Sequence, residues 1–180
     1  MTTAIVSDRK LAEGVSDRGA RIAAATLRIG LGVLWLANVR WKFPPDFGET
    51  HGNGVYRWTK FAVTREVWHP YALLVDNFVL HHFTIFGWSV FIAEASLAAF
   101  LIVGLATRFW ALIGVVQSAA IALSVLNAPG EWPWAYYLMI LGHLGVFALA
   151  AGRVGGLDGV LRPLWRASDS RIARALVRAS

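Results

Sequence analysis

Residues 83–126 form two apolar runs, Phe83 to Leu105 and Phe109 to Leu126, separated only by Ala106-Thr107-Arg108. About 20 consecutive apolar residues span the hydrocarbon core of a bilayer, and the first run meets that length. One carboxylate, Glu94, interrupts it near its middle. An unpaired charge at that depth costs at least about 2.5 kcal/mol, so Glu94 needs a partner, a watery cavity or a proton.

The rest of the composition agrees with a membrane chain. Its 180 residues suit one domain, and 57% are hydrophobic. The mean hydropathy is +0.53, with the apolar residues in blocks. No cysteine is present. Disulfides, thiolate metal ligands, thioether-attached haem and CxxC redox chemistry are therefore excluded, and any redox role uses a bound carrier or a partner subunit. The net charge of +6 does not indicate nucleic acid, because the basic residues flank apolar blocks rather than forming one patch beside aromatics. The tryptophans fall mostly near the expected membrane edges, where an amphipathic ring is favoured.

In chain order, residues 1–20 read as a short cytoplasmic segment without the apolar core and cleavage pattern of a signal peptide. A first span covers 21–39, with Arg28 in its interior and Gly30 and Gly32 permitting close helix approach. Trp41-Lys42 marks its exit and Pro44-Pro45 its end. Residues 43–82 form the longest polar interval. Within it, Tyr71 to Leu80 is apolar but too short to span, and is expected as an interfacial or re-entrant helix ending at His81-His82. Three further spans are expected at 83–105, 109–126 and 134–151, the last with Pro133 in its first turn. The domain division is an N-terminal segment 1–20, a membrane domain 21–162 and a basic tail 163–180.

Cations in the short loops set the orientation. The loop from Asn127 to Pro133 has none, whereas Arg108 occupies the turn between spans two and three, and six arginines follow from Arg153. Both termini are expected in the cytoplasm, with residues 40–82 outside. Ile172, Ala175 and Leu176 share one face of a possible tail helix able to rest on anionic lipid.

Counting about 1.5 Å per residue places Arg28, Glu94, Gln117 and His143, one from each span, at roughly 12 to 16 Å from one interface. Arg28 is expected to pair with Glu94, with His143 or Gln117 using the remaining donors and lone pairs. Two roles stay open: structural glue that fixes helix packing, or a site for a polar head group such as a quinone, or for proton transfer. In the second role Arg28, Glu94 and His143 are the candidate catalytic residues and Gln117 a candidate quinone contact. At the outer face, Arg40 and Lys42 are candidate anion-binding residues, beside Arg57, Lys60 and Arg65. Asp46, Glu49 and Glu66 offset much of that charge. His51, His69, His81 and His82 match no compact ligand spacing, so no metal site is expected. No Gly-rich phosphate loop, GxSxG or HExxH is present.

The run Glu94-Ala-Ser-Leu-Ala-Ala-Phe-Leu-Ile-Val-Gly-Leu-Ala-Thr-Arg108 resembles the Glu-to-GLxTR segment of the DoxX/DoxD superfamily of bacterial membrane proteins. Arg28 with Gly32, the Trp41-Lys42 exit, and Ala151-Gly152-Arg153 through Leu157-Asp158 fit the same pattern. Glu131-Trp132-Pro133-Trp134 and the long first outer loop are more similar to the DoxD branch. The resemblance covers about residues 20–162. It implies an all-α integral membrane four-helix bundle in the bacterial cytoplasmic membrane, with an interfacial helix in the long extracytoplasmic loop between helices 1 and 2. It also implies a subunit that passes electrons from thiosulfate to quinone, giving tetrathionate. A second protein subunit or a homo-oligomer is the expected partner besides the bilayer, and no nucleic acid. A fold shared by enzymes and non-enzymes leaves a second expectation open, a non-catalytic anchor or assembly subunit.

Overall fold

The computed structural model describes residues 18–180. The expected N-terminal segment lies outside that range up to residue 17. Among the described residues the chain is all-helical, without strands. Four long helices dominate: α1 (Arg18–Val39), α4 (Phe83–Val103), α5 (Thr107–Val125) and α6 (Pro133–Leu149). Between α1 and α4 lie α2 (Gly54–Thr64) and α3 (His69–Leu74). After α6 come α7 (Leu157–Arg166) and α8 (Arg171–Ala179).

Three helical stretches are long and apolar enough to cross a membrane: α1, the run from His69 through α4, and α5. The 17 residues of α6 are apolar but fewer. Each long helix buries a narrow stripe of mostly small or apolar residues. In α1 it is Ala24, Arg28, Leu31, Gly32 and Trp35. In α5 it is Thr107, Ala111, Gly114, Ser118, Ala122 and Val125, steps of three and four that keep one face inward, with Ser124 buried beside them. The outward faces remain apolar, with Ile85 69% and Val116 67% exposed. Apolar surface on that scale fits lipid rather than water.

The pairing of the helices follows from these stripes. α1 lies along α4 and α5 along α6, while α1 also touches α6 and α4 touches α5. Each long helix thus has two neighbours among the other three. Between them sits a core of Leu31, Trp35, Leu97, Leu101, Ala111 and Val146. A second, smaller cluster of Phe47, Val55 and Phe83 ties the loop after α1 to the start of α4.

The interval between α1 and α4 differs from the expectation in two ways. The mixed-charge stretch forms α2, which buries Val55, Thr59 and Ala62 on one face. Arg57 and Lys60 lean over the Phe61 and Tyr56 rings, so their charges mask an ordinary amphipathic helix. The apolar stretch around Tyr71 to Leu80 does not stop at His81-His82. It continues through a π-turn (Val75–Val79) and a 3-10 turn (Leu80–His82) directly into α4. A π-turn frees backbone carbonyls. Asn77, His81 and His82 engage the carbonyls of Leu73, Asp76 and Phe78 at 2.8, 2.9 and 3.0 Å. The residues that look like breakers in sequence are those that hold the continuous run together.

Candidate functional site

Glu94 projects from the middle of α4 and is fully buried. Its partner is Lys42, three residues beyond the end of α1. The lysine stem runs back along the helix, so its ammonium forms an ion pair with Glu94 Oε2 while also donating to the Asn38 carbonyl at 3.0 Å. That carbonyl is one of the last four in α1, which lack an intrahelical donor, and a cation is favoured there. Asn38 Nδ2 donates to the same carboxylate oxygen at 3.1 Å. Its own Oδ1 accepts from the Trp41 indole at 3.1 Å, which fixes the orientation of the amide. The Trp41 ring also lies 4.5 Å from the ammonium, a cation–π contact. On the other side, Gln117 Nε2 of α5 donates to Glu94 Oε1 at 3.2 Å.

The expected pairing of Arg28 with Glu94 is not formed. Arg28 faces the other end of the core, donating to the Leu101 and Ile102 carbonyls at 2.6 and 2.8 Å and to the Gly155 carbonyl at 3.3 Å. It caps the C-terminus of α4, where a cation complements the helix dipole. Asp158 does the converse for α5: its two oxygens accept from the Ala106 and Thr107 backbone N–H groups at 2.7 and 2.9 Å. Its own N–H donates to the Gly104 carbonyl at 2.8 Å. Gly104 turns the chain with φ 71°, and a Cβ there would lie 2.7 Å from the Arg28 guanidinium. One cation and one carboxylate therefore clamp the two ends of a single turn.

His143 is also accounted for. Its Nε2 accepts from the Trp35 indole at 2.9 Å, and its Nδ1 lies 2.7 Å from the Met139 carbonyl. Accepting at one nitrogen and donating at the other requires the neutral imidazole protonated at Nδ1. The ring packs on Gly114, where any Cβ would overlap it.

The four residues expected in one layer thus fall into three groups: Glu94 with Gln117, His143 with Trp35, and Arg28 with the α4–α5 turn. Of the two candidate outer anion ligands, Lys42 is 5% exposed and committed to Glu94, a correction to its expected role, while Arg40 is exposed. Among the outer histidines, His69 lies 3.0 Å from the Glu66 carboxylate and His51 is exposed. No group of three or more His, Cys, Asp or Glu able to hold a metal occurs among the described residues.

Lys42 and Asn38, which complete the Glu94 network, and Asp158, which holds the α4–α5 turn, are the side chains that depth counting overlooks. A signal for Lys42 existed in the sequence, because a lysine within one turn of a helix end can fold back along it.

The network has one open edge. Gln117 is half-buried, and its bond to Glu94 uses one of its two amide N–H donors, leaving the other and the carbonyl. No family model, curated protein or solved structure matches the chain.

Proposed function

We propose that this chain is a four-helix membrane subunit of a quinone-linked oxidoreductase, with α1, α4, α5 and α6 crossing the bilayer and α2 and α3 lying at the outer interface. The observation that carries the reading is the Lys42–Glu94–Gln117 network, a buried acid–base pair with one half-buried amide at its edge. A quinone carbonyl needs a hydrogen-bond donor, and the second N–H of Gln117 supplies one. Reduction to quinol takes two electrons and two protons, and Glu94, restored by Lys42, handles a proton beside that carbonyl. The resemblance to the DoxD branch supplies the donor half: two thiosulfates give one tetrathionate and two electrons. Exposed Arg40, beside Arg57, Lys60 and Arg65, is left on the outer side to draw the dianion in, since Lys42 is committed to Glu94.

Thiosulfate-dependent reduction of a short-chain quinone by the purified protein tests this. Glu94→Gln and Gln117→Leu should each abolish quinol formation while the helical circular-dichroism spectrum is kept. Full turnover by both variants would sink the reading.

A second reading, a non-catalytic anchor or assembly subunit in the same membrane, is favoured by a separate observation. Arg28, Asp158 and His143 are all engaged at helix ends or between helices, as structural glue requires. Absence of turnover together with stable copurification of another enzyme would select it.

A further inference from the structure

Arg108, Arg153, Arg162 and Arg166 come from the start of α5, the turn after α6 and the length of α7. Mutual repulsion brings no benefit to the fold unless something negative joins them. Residues 132–180 contain only two acidic side chains, Asp158 and Asp169. The Asp158 carboxylate is fully buried and bonded to backbone N–H groups. No side-chain carboxylate pairs with any of the four arginines among the described residues. Arg108 instead stacks 4.3 Å from the centre of the Phe147 ring. Arg153 and Arg162 both donate to the Ser180 main-chain oxygen at 2.9 Å, Arg162 also to the Val177 carbonyl and the Ser180 hydroxyl at 2.6 Å, and Arg166 makes no hydrogen bond among the described residues. The Nε atoms of Arg108 and Arg162 are buried N–H donors without an acceptor. Burial, then the neighbouring guanidiniums, push Arg162 below the usual arginine range.

Two adjoining clefts give this charge a shape. One, of about 220 Å³, is lined by Arg153, Gly159, Arg162, Pro163 and Arg166. The other, of about 380 Å³, shares Arg153 and Gly159 and is otherwise bounded by Val103, Leu157, Val160 and the Gly155-Gly156 turn. The first offers guanidinium donors; the second offers aliphatic walls. Leu157, Val160 and Leu164 form one exposed face of α7, Val160 and Leu164 at 68% and 65%, beside the exposed Val103 at the end of α4. A phosphate diester carrying an acyl chain matches both halves, whereas a soluble phosphate ester leaves the apolar half exposed to water.

We propose that the arginine cleft beside α7 binds the phosphodiester headgroup of an anionic phospholipid, with an acyl chain along Val103, Leu157 and Val160. The site rests on the membrane placement proposed above, and is independent of any quinone chemistry. It fastens the α4–α5 turn, through Val103 and the Gly155–Asp158 segment, to the lipid surface.

Protein purified in detergent is titrated with phosphatidylglycerol and with phosphatidylcholine, and bound lipid is counted by native mass spectrometry. The wild-type chain should favour phosphatidylglycerol by roughly tenfold or more, given about 1 kcal/mol per arginine near an anionic headgroup. Arg153→Gln with Arg166→Gln should remove that preference, whereas Arg171→Gln with Arg178→Gln, an equal loss of charge outside the clefts, should keep it. If the first pair misfolds, Arg166→Gln alone, which breaks no internal hydrogen bond, should reduce the preference about fivefold. Equal binding of the two lipids, or equal loss in both double variants, would overturn the site. So would displacement of the lipid by an equal concentration of inorganic phosphate, which assigns the cleft to a soluble anion. Release of the protein from membranes by alkaline carbonate would refute the membrane placement itself; retention without lipid preference refutes the site alone.

Discussion

A buried ion pair such as Lys42–Glu94 is most informative when one partner is removed. Lys42→Met leaves the Glu94 carboxylate with two amide donors and no counter-charge, and should lower stability by about 3 to 5 kcal/mol. Lys42→Met combined with Glu94→Met removes both charges and should recover most of that loss, because burying the pair itself costs desolvation. Denaturant titration of the three variants in one detergent measures the cycle; a double variant as unstable as the single would show that the pair is not what Lys42 contributes. Asp158 makes a second residue-scale case. Asp158→Ala strips two backbone N–H groups of their acceptor at the start of α5 and should cost about 2 kcal/mol, with faster amide exchange at Ala106 and Thr107. From sequence, Glu94 was recognisable as a buried carboxylate and Gln117 as a neighbour. Arg28 was assigned to the wrong partner because counting residues gives depth along a helix but not the direction a side chain takes from it. Lys42 reads as an outer residue because it follows the end of α1, yet its ammonium turns back into the core to meet Glu94.

Among the elements, the ends of the long helices were the most legible part. Spans expected at 83–105 and 109–126 occur as 83–103 and 107–125, bounded by a glycine with positive φ and a threonine whose N–H is capped from a distance. The fourth, expected at 134–151, is an α-helix over 133–149 followed by a 3-10 turn. The expected boundary at residue 163 falls inside α7, since Pro163 sits there without ending it. Ile172 and Ala175 of the expected tail face point outward, as a face able to rest on lipid requires, while the opposite side of α8 is anchored by the buried Ala173. Gly104, Thr107, Gly152 and Asp158 meet at one turn: a Cβ on Gly152 would overlap both the Thr107 hydroxyl and the Asp158 carboxylate. These four residues therefore encode how α4 joins α5. Close packing also explains Gly114, whose face receives the His143 ring. Gly114→Ala should separate α5 from α6 and cost about 1 to 3 kcal/mol, read as a lower melting temperature with the helical signal retained. An unchanged melting temperature would mean that the ring has room to move.

For the whole molecule, the number of membrane crossings turns on α6. At about 1.5 Å per residue its 17 residues reach roughly 25 Å, short of the roughly 30 Å hydrocarbon core. It lies along α5, itself long enough to cross, and is bonded through His143 to the buried Trp35, about one turn from the end of α1, so it packs alongside both. Leu138 and Leu141 are each 61% exposed on its outer side, and Trp132 and Trp134 flank its start at 70% and 67%, as at a lipid interface. A short helix in such company is accommodated by local thinning of the bilayer and by flanking aromatic and basic residues. The two topologies differ in a way that the cysteine-free chain makes easy to read. With four crossings, Asn53 before α2 and Ser170 before α8 lie on opposite sides of the membrane; with three, they lie on the same side. Asn53→Cys and Ser170→Cys, introduced separately and exposed to a membrane-impermeant maleimide on intact cells, should label at residue 53 and stay protected at 170 until the membrane is opened. Labelling of both from outside would leave α6 short of the inner face, and would carry the arginines of α7 and α8 to the outer surface, against the bias that places short-loop cations in the cytoplasm.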